Sequence, residues 1–212
     1  MRSRVFLAAG LTVILFSCQT MQAQVRFGIK AGVNIETQSM LGQLWTNQNV
    51  RAGFIAGGTL EFIVNDQLSF QTELDIQQKG EKINATESGL STSVINEFNY
   101  VTVPLLIKGN FNDELSLGDK WNIFGYTGPY YGYLFSAKNK LIDDNITTET
   151  DIINNSDKND WGFIFGGGVS YNLSNHDIIF CDLRYDMGLN EIYSDDTDIR
   201  NKVISMCIGY RF

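Results

Sequence analysis

Side chains capable of chemistry are few in this sequence, and they fall into three groups. The single histidine, His176, lies in the stretch Ser174–Asp177 between two alternating segments. A Ser–His–Asp hydrolase needs that base beside a nucleophile. No Ser or Cys dyad motif accompanies His176, so an enzyme is not expected. "SDDTD" at 194–198 supplies Asp195, Asp196 and Asp198, hard oxygen donors of the kind that suit Ca²⁺ or Mg²⁺. It has neither EF-hand spacing nor a fixed glycine. The stretch reads as a solvated acidic loop, at most a weak divalent-cation site, and no cofactor is expected. The third group is the row Asp182, Arg184, Asp186 within "DIIFCDLRYDMGLN" (177–190). Ile179, Cys181, Leu183, Tyr185, Met187 and Leu189 alternate with it. In a strand the two sets face opposite ways. One face seeks an apolar medium, and the other stacks acid, base and acid.

The elements that must position this row are strands throughout. From residue 25 onward no helical period is sustained, and eight alternating runs recur, at about 25–34, 52–64, 67–79, 97–111, 121–137, 159–173, 178–190 and 201–212. Long connections follow the odd-numbered runs, at about 35–51, 80–96, 138–158 and 191–200. Short ones follow the even-numbered runs, at Asn65-Asp66, 112–120 and Ser174–Asp177. Sorting long loops to one end and short turns to the other is the plan of an eight-stranded antiparallel up-and-down transmembrane β-barrel. Lipid is then the apolar medium, and the polar parity faces the lumen. That parity places Arg26, Lys30, Lys79, Lys108, Arg184 and Arg211 inside, with Glu61, Glu73, Asp75, Asp182 and Asp186. Buried charges are tolerable when paired, and eight strands leave an interior that side chains can fill. A structural salt-bridge plug is therefore preferred to a proton or ion path. Interior glycines (Gly28, Gly32, Gly53, Gly57, Gly162, Gly166, Gly168) leave some free volume, permit curvature or admit long cationic side chains.

Aromatic residues cluster towards both strand ends. Tyr100, Trp161 and Tyr185 lie near the long loops; Phe111, Trp121, Tyr171, Tyr210 and Phe212 lie near the short turns. Two such belts are expected where rings meet the headgroups on either side of a membrane. Pro104 and Pro129 fall inside strands, where each removes a ladder donor. Folding the chain about 112–120 sets residue 104 opposite roughly 128, which predicts a shared bulge or kink. The segment Asn122–Phe135 is apolar on both parities, and its facing stays open.

The N-terminus reads as an export signal. Arg2 and Arg4 precede the apolar run Val5–Phe16, and Met21-Gln22-Ala23 ends in a small residue. Cleavage after Ala23 would leave a mature barrel domain over 24–212. The alternative is a lipid on Cys18, since Leu15-Phe16-Ser17-Cys18 loosely resembles a lipoprotein box, although Phe16 fits poorly. Without Arg2 and Arg4, 14 bases face 24 acids, a balance that excludes nucleic acid as a partner. Cys181 and Cys207 fall on opposite faces by alternation, so free thiols are expected.

Five stretches together resemble a known family: "FGIKAGVN" (27–34), "LSFQTELDIQQKGEK" (68–82), "NYVTVPLLIKGNF" (99–111), "TGPYYGYLFSAK" (127–138), and "DLRYDMGLNEI" with the closing "IGYRF". They resemble the PorT-family outer-membrane β-barrels of Bacteroidetes, in the same order across the mature chain. The resemblance implies a small porin-like barrel in the cell outer membrane. It also makes Tyr210 and Phe212 look like the C-terminal signal that barrel-assembly machinery reads during insertion. The expected partners are that machinery, outer-membrane lipid and lipopolysaccharide, and an unidentified protein at the long acidic loops. The expected function is a structural or surface-interaction role with the lumen plugged by paired charges. The alternatives are a narrow porin-like channel for small solutes and a soluble periplasmic barrel holding an apolar ligand. The soluble barrel would invert the two faces.

Overall fold

A computed structural model describes residues 24–37, 51–87, 90–111, 120–143, 146–173, 177–191 and 200–212. Alternation sets the strands, and their pairing closes them into a barrel. The strands are β1 (Gln24–Thr37), β2 (Arg51–Ile63), β3 (Leu68–Glu87), β4 (Leu90–Asn110), β5 (Trp121–Asp143), β6 (Ile146–Asp151), β7 (Asn159–Asn172), β8 (Ile178–Glu191) and β9 (Arg200–Arg211). Every pairing is antiparallel. Chain neighbours pair throughout except that β5 pairs with both β6 and β7, and β9 returns to β1, from Gly28↔Arg211 to Thr37↔Lys202. Eight strands thus make the closed wall, and β6 lies outside it as an added edge on the far end of β5. A closed wall leaves no unsatisfied backbone edge facing lipid.

The faces are those of a membrane barrel. Phe27, Ile29, Val33, Leu74, Leu105, Ile107, Leu183, Met206 and Ile208 point outward and are exposed, while the charged parity is buried. The face inversion demanded by a soluble ligand-holding barrel is therefore excluded. Trp161, Tyr131 and Tyr133 ring the long-loop end; Phe111, Trp121 and Phe212 ring the other. Tyr100 departs from the expected belt: it is 1% exposed and lies in the lumen. It shares parity with Lys108 and Thr102, and β4 is apolar on both faces, so aromatic character alone misplaces it.

Two of the four long connections are sheet. β3 and β4 run on past the barrel as one hairpin, pairing from Gly80↔Glu97 to Glu87↔Leu90. In place of the expected loop at 138–158, β5 and β6 pair from Lys138↔Asp151 to Asp143↔Ile146, followed by a 3-10 turn at Ile153–Asn155. Ile152 and Ile153 pack onto Phe98, Tyr100, Leu134 and Ala137, which closes a small apolar cluster over the outer end of the lumen. At the opposite end the β2–β3 turn is fixed by Asn65, whose Oδ1 accepts from the backbone N–H of Gln67 and Leu68 at 2.9 and 2.8 Å. Side-chain oxygens of Asn commonly close turns in this way.

The prolines sit close, two pairs away from the expected register. Pro104 faces Tyr130, and the β4–β5 ladder lapses across Leu105, Leu106, Gly128 and Pro129. The Thr72 hydroxyl donates to the freed Pro104 carbonyl at 2.9 Å. The bulge itself lies further out, at Phe135 of β5, the extra residue opposite Asn99/Tyr100 of β4. There Leu134 and Ala137 of β5 are both buried although three residues apart, so parity switches between them. Cys181 and Cys207 are free, Cys207 buried and Cys181 partly exposed on the other face.

Candidate functional site

Side chains fill the barrel interior in three levels. At mid-depth Arg184 of β8 reaches across the lumen. Its Nε and Nη2 donate to Asp186 at 2.8 and 3.1 Å, and Nη1 donates to Glu73 and Asp75 of β3 at 3.0 and 3.3 Å. Three wall strands separate β8 from β3 on that side, so these contacts span the cavity. Lys30 of β1 bonds Glu73 and lies 3.1 Å from Asp75. Gln77 donates to Asp186 at 3.0 Å. Arg184, Lys30, Glu73 and Asp75 are each 4% exposed or less, where a charge is tolerated only with partners. Asp182 sits beside this group, its Oδ1 without a hydrogen-bond partner among the described residues.

Nearer the long-loop end Lys79 pairs with Asp160 of β7 at 2.7 Å, and its ammonium lies over the rings of Tyr100 and Tyr130, 5.2 and 5.0 Å from their centroids. Tyr130 and Asn201 also donate to Asp160, each at 3.2 Å. Glu36 accepts from the Gly80 backbone N–H. Gly80 holds φ at 149°, and a Cβ there would strike the Asn96 carbonyl; only glycine suits that backbone. Glu36 and Asp160 are interior acids that sequence reasoning missed. Continuing the Lys30–Asn34 parity two residues past the expected strand end would have found the first. Asp160 precedes Trp161, Phe163 and Phe165 on the alternate parity of β7, with no partner visible in the sequence to mark it as interior.

At the short-turn end Lys108 pairs with Glu61 at 2.8 Å, Ser69 donates to Glu61 at 2.7 Å, and Arg211 approaches it at 3.5 Å. Arg211 lies on the Phe180 ring, 4.1 Å from its centroid, and Lys108 lies 4.6 Å from that of Phe124. Arg26 lines the same end and is only half-buried. The remaining side of the lumen is apolar: Leu106, Phe124, Tyr126, Tyr130, Ile164 and Phe180 form one cluster. The open facing of β5 is thereby settled, with Phe124, Tyr126, Tyr130 and Leu134 inward. Interior glycines hold no void where these rings lie, since a Cβ on Gly166 would meet Tyr126 at 2.5 Å. His176, Asp195, Asp196 and Asp198 lie outside the described residues, as does the 1–23 segment. Tyr210 and Phe212 close β9, with rings 6.4 Å apart and the Phe212 N–H donating to Phe27.

A closed eight-stranded wall, apolar outside and charged within, defines a small outer-membrane barrel. The chain belongs to the outer membrane protein beta-barrel domain family, whose model matches residues 19–194. Among solved structures it is similar to Neisserial surface protein A, at 12% identity and TM-score 0.52, covering 88% of this chain and 95% of that one. It is likewise similar to OprG from Pseudomonas aeruginosa, at 12% identity and TM-score 0.52 over 90% and 97% of the two chains. A major outer membrane protein from Thermus thermophilus matches at 14% identity and TM-score 0.51, over 89% and 100%. These likenesses show the fold. No curated protein matches the sequence.

Proposed function

We propose that this outer-membrane barrel is sealed, and that it serves a structural or surface-interaction role rather than conduction. The observation that carries this reading is Arg184, which ties β8 to Glu73 and Asp75 across the lumen while the Phe124–Tyr126–Tyr130 cluster fills the other side. Water and ions passing through would have to part that network. In the same reading the chain is a PorT-type barrel of Bacteroidetes, exported by a signal peptide over 1–23. It is inserted by assembly machinery that reads Tyr210 and Phe212, and it sits among lipid and lipopolysaccharide. The β3–β4 and β5–β6 hairpins are the surfaces offered to a protein partner, and Asp195, Asp196 and Asp198 are weak divalent-cation ligands at most.

Single-channel recording of the refolded protein in a planar bilayer tests the seal. The wild type is expected to be silent and Arg184→Ala to leak, because the deletion removes the side chain that spans the lumen between β8 and β3. Steady conductance in the wild type would overturn the sealed reading and make the Arg184 row a selectivity element of a narrow channel.

A further inference from the structure

The interior charges are unevenly spread along the barrel axis, and the imbalance lies around a cavity. At the short-turn end Arg26, Lys108 and Arg211 line a cavity with one buried carboxylate, Glu61, and one exposed carboxylate, Asp66. Further in, Lys30, Lys79 and Arg184 meet six: Glu36, Glu73, Asp75, Asp160, Asp182 and Asp186. The cationic end encloses a cup of about 360 Å³ open past the β2–β3 turn. Its remaining wall is mainly amides, among them Asn110, Asn122 and Asn172.

Each cation is held ready in a different way. Lys108 and Arg211 share Glu61 and rest on the Phe124 and Phe180 rings, which supply a low-dielectric floor. Arg211 is 2% exposed; its Nε faces Glu61 at 3.5 Å, too far for a hydrogen bond, and its Nη2 donates to Gln71 at 3.4 Å. Arg26 pairs across the sheet with Glu61 by backbone register, and no side-chain ion pair ties it to any described residue. The three cations outnumber Glu61 and Asp66, and their mutual repulsion is strongest where water is scarce. The natural relief is a further anion. The short-turn end of such barrels faces the periplasm, so the anion would come from that side.

We propose that this cup binds a compact oxyanion-bearing polar ligand, a phosphate or carboxylate group, through Arg26, Lys108 and Arg211, with the amides hydrogen-bonding its polar remainder. Guanidinium groups suit planar and tetrahedral oxyanions through paired N–H donors. The volume lies at the small end of the range for ligand pockets, which limits the ligand to a small solute or a headgroup. This inference goes beyond the sealed-barrel reading and does not depend on it.

The test is calorimetric titration of the full refolded protein in maltoside detergent at low ionic strength, with inorganic phosphate and with succinate as separate probes. Saturable one-to-one binding of at least one probe is expected. Arg26→Gln should weaken it about tenfold, the loss of one charge-assisted contact, and Glu61→Gln should tighten it. Heat modifiability on gels verifies that each variant is still a barrel. Arg26 holds no other described partner, so its replacement should leave the fold intact. Dihexanoylphosphatidylglycerol is then added to the phosphate complex. Displacement assigns a lipid headgroup as the source of the oxyanion, and persistence assigns a free periplasmic solute; both support the site. Absence of saturable binding for both probes in the wild type, or unchanged affinity in Arg26→Gln, overturns it.

Discussion

Two ion-pair networks of similar length occupy opposite environments in this barrel. In the lumen Arg184 meets Asp186, Glu73 and Asp75 at 2.8 to 3.3 Å, with every partner's side chain at 1% exposure or less. On the outer hairpins Arg51, Glu97, Lys140, Glu149 and Lys138 form a chain from β2 through β4 and β5 to β6, at 2.7 to 3.4 Å. There exposure rises outward, from 12% and 16% at Arg51 and Glu97 to about half at Glu149 and Lys138. Distance hardly separates the two networks; water does. In the lumen an abandoned charge keeps its desolvation penalty, whereas on the hairpins water and salt replace the lost partner. The first network fixes which strands face each other across the barrel, and the second trims the edge of a sheet that backbone pairing already holds.

The largest effect should come from breaking the lumen network. Arg184→Ala leaves buried Asp186 with the Gln77 amide and buried Glu73 and Asp75 sharing Lys30, and removing one partner of a buried pair costs on the order of 3–5 kcal/mol. Equilibrium unfolding of the lipid-refolded protein should show that loss. Unchanged heat modifiability and midpoint would mean that the acids find water or protons in the lumen, and the contrast with the outer network would collapse.

An intermediate effect is expected on the aromatic side of the same cavity. Gly166→Val drives a side chain into the Tyr126 ring, and overpacking of this kind costs about 1–3 kcal/mol. Near-ultraviolet circular dichroism should register the displaced tyrosine. If Gly166→Val proves silent, the glycine lies beside free volume after all, and the apolar half of the plug is looser than its packing indicates.

The same contrast governs what could be read in the sequence. Where a strand is apolar on one parity and charged on the other, as in β1, β3 and β8, period-two reasoning places Lys30, Glu73, Asp75, Asp182, Arg184 and Asp186 inside without reference to any partner. Their pairing across the lumen is beyond it, because an Arg184–Glu73 contact depends on barrel closure and not on local spacing. β4 and β5 were harder, since lipid and an aromatic plug both favour apolar residues and the two faces lose their contrast. Tyr100 went to the wrong environment for that reason. Long connections are overextended for another: Thr, Asn, Glu and Lys in 80–96 and 138–158 read as loop, yet backbone pairing continues through both hairpins, and the exposed stretch Thr147–Thr150 of β6 needs no apolar parity. The cup at the short-turn end was invisible, because Arg26, Glu61, Lys108 and Arg211 come from four strands.

The smallest effect should arise at Glu149, and it sharpens the comparison from the weak side. Hydrogen bonds from Lys140 and then Lys138 hold the Glu149 carboxyl below its usual range, and bonds to Glu97 and Glu149 raise the Lys140 ammonium. A depressed carboxyl lends stability above its unfolded value, about 4.3, that is lost as pH falls through the folded value. A raised ammonium lends stability below about 10.4 that is lost as pH rises through its folded value. The β5–β6 pairing should therefore be best protected between those limits. Carbon-detected NMR titration should find the Glu149 midpoint depressed at low salt and returned towards the ordinary value in high salt, while Glu149→Gln leaves the global unfolding midpoint unchanged. A Glu149 midpoint insensitive to salt would show that the outer network is shielded from solvent. The hairpins would then be part of the cooperative barrel rather than an appendage to it.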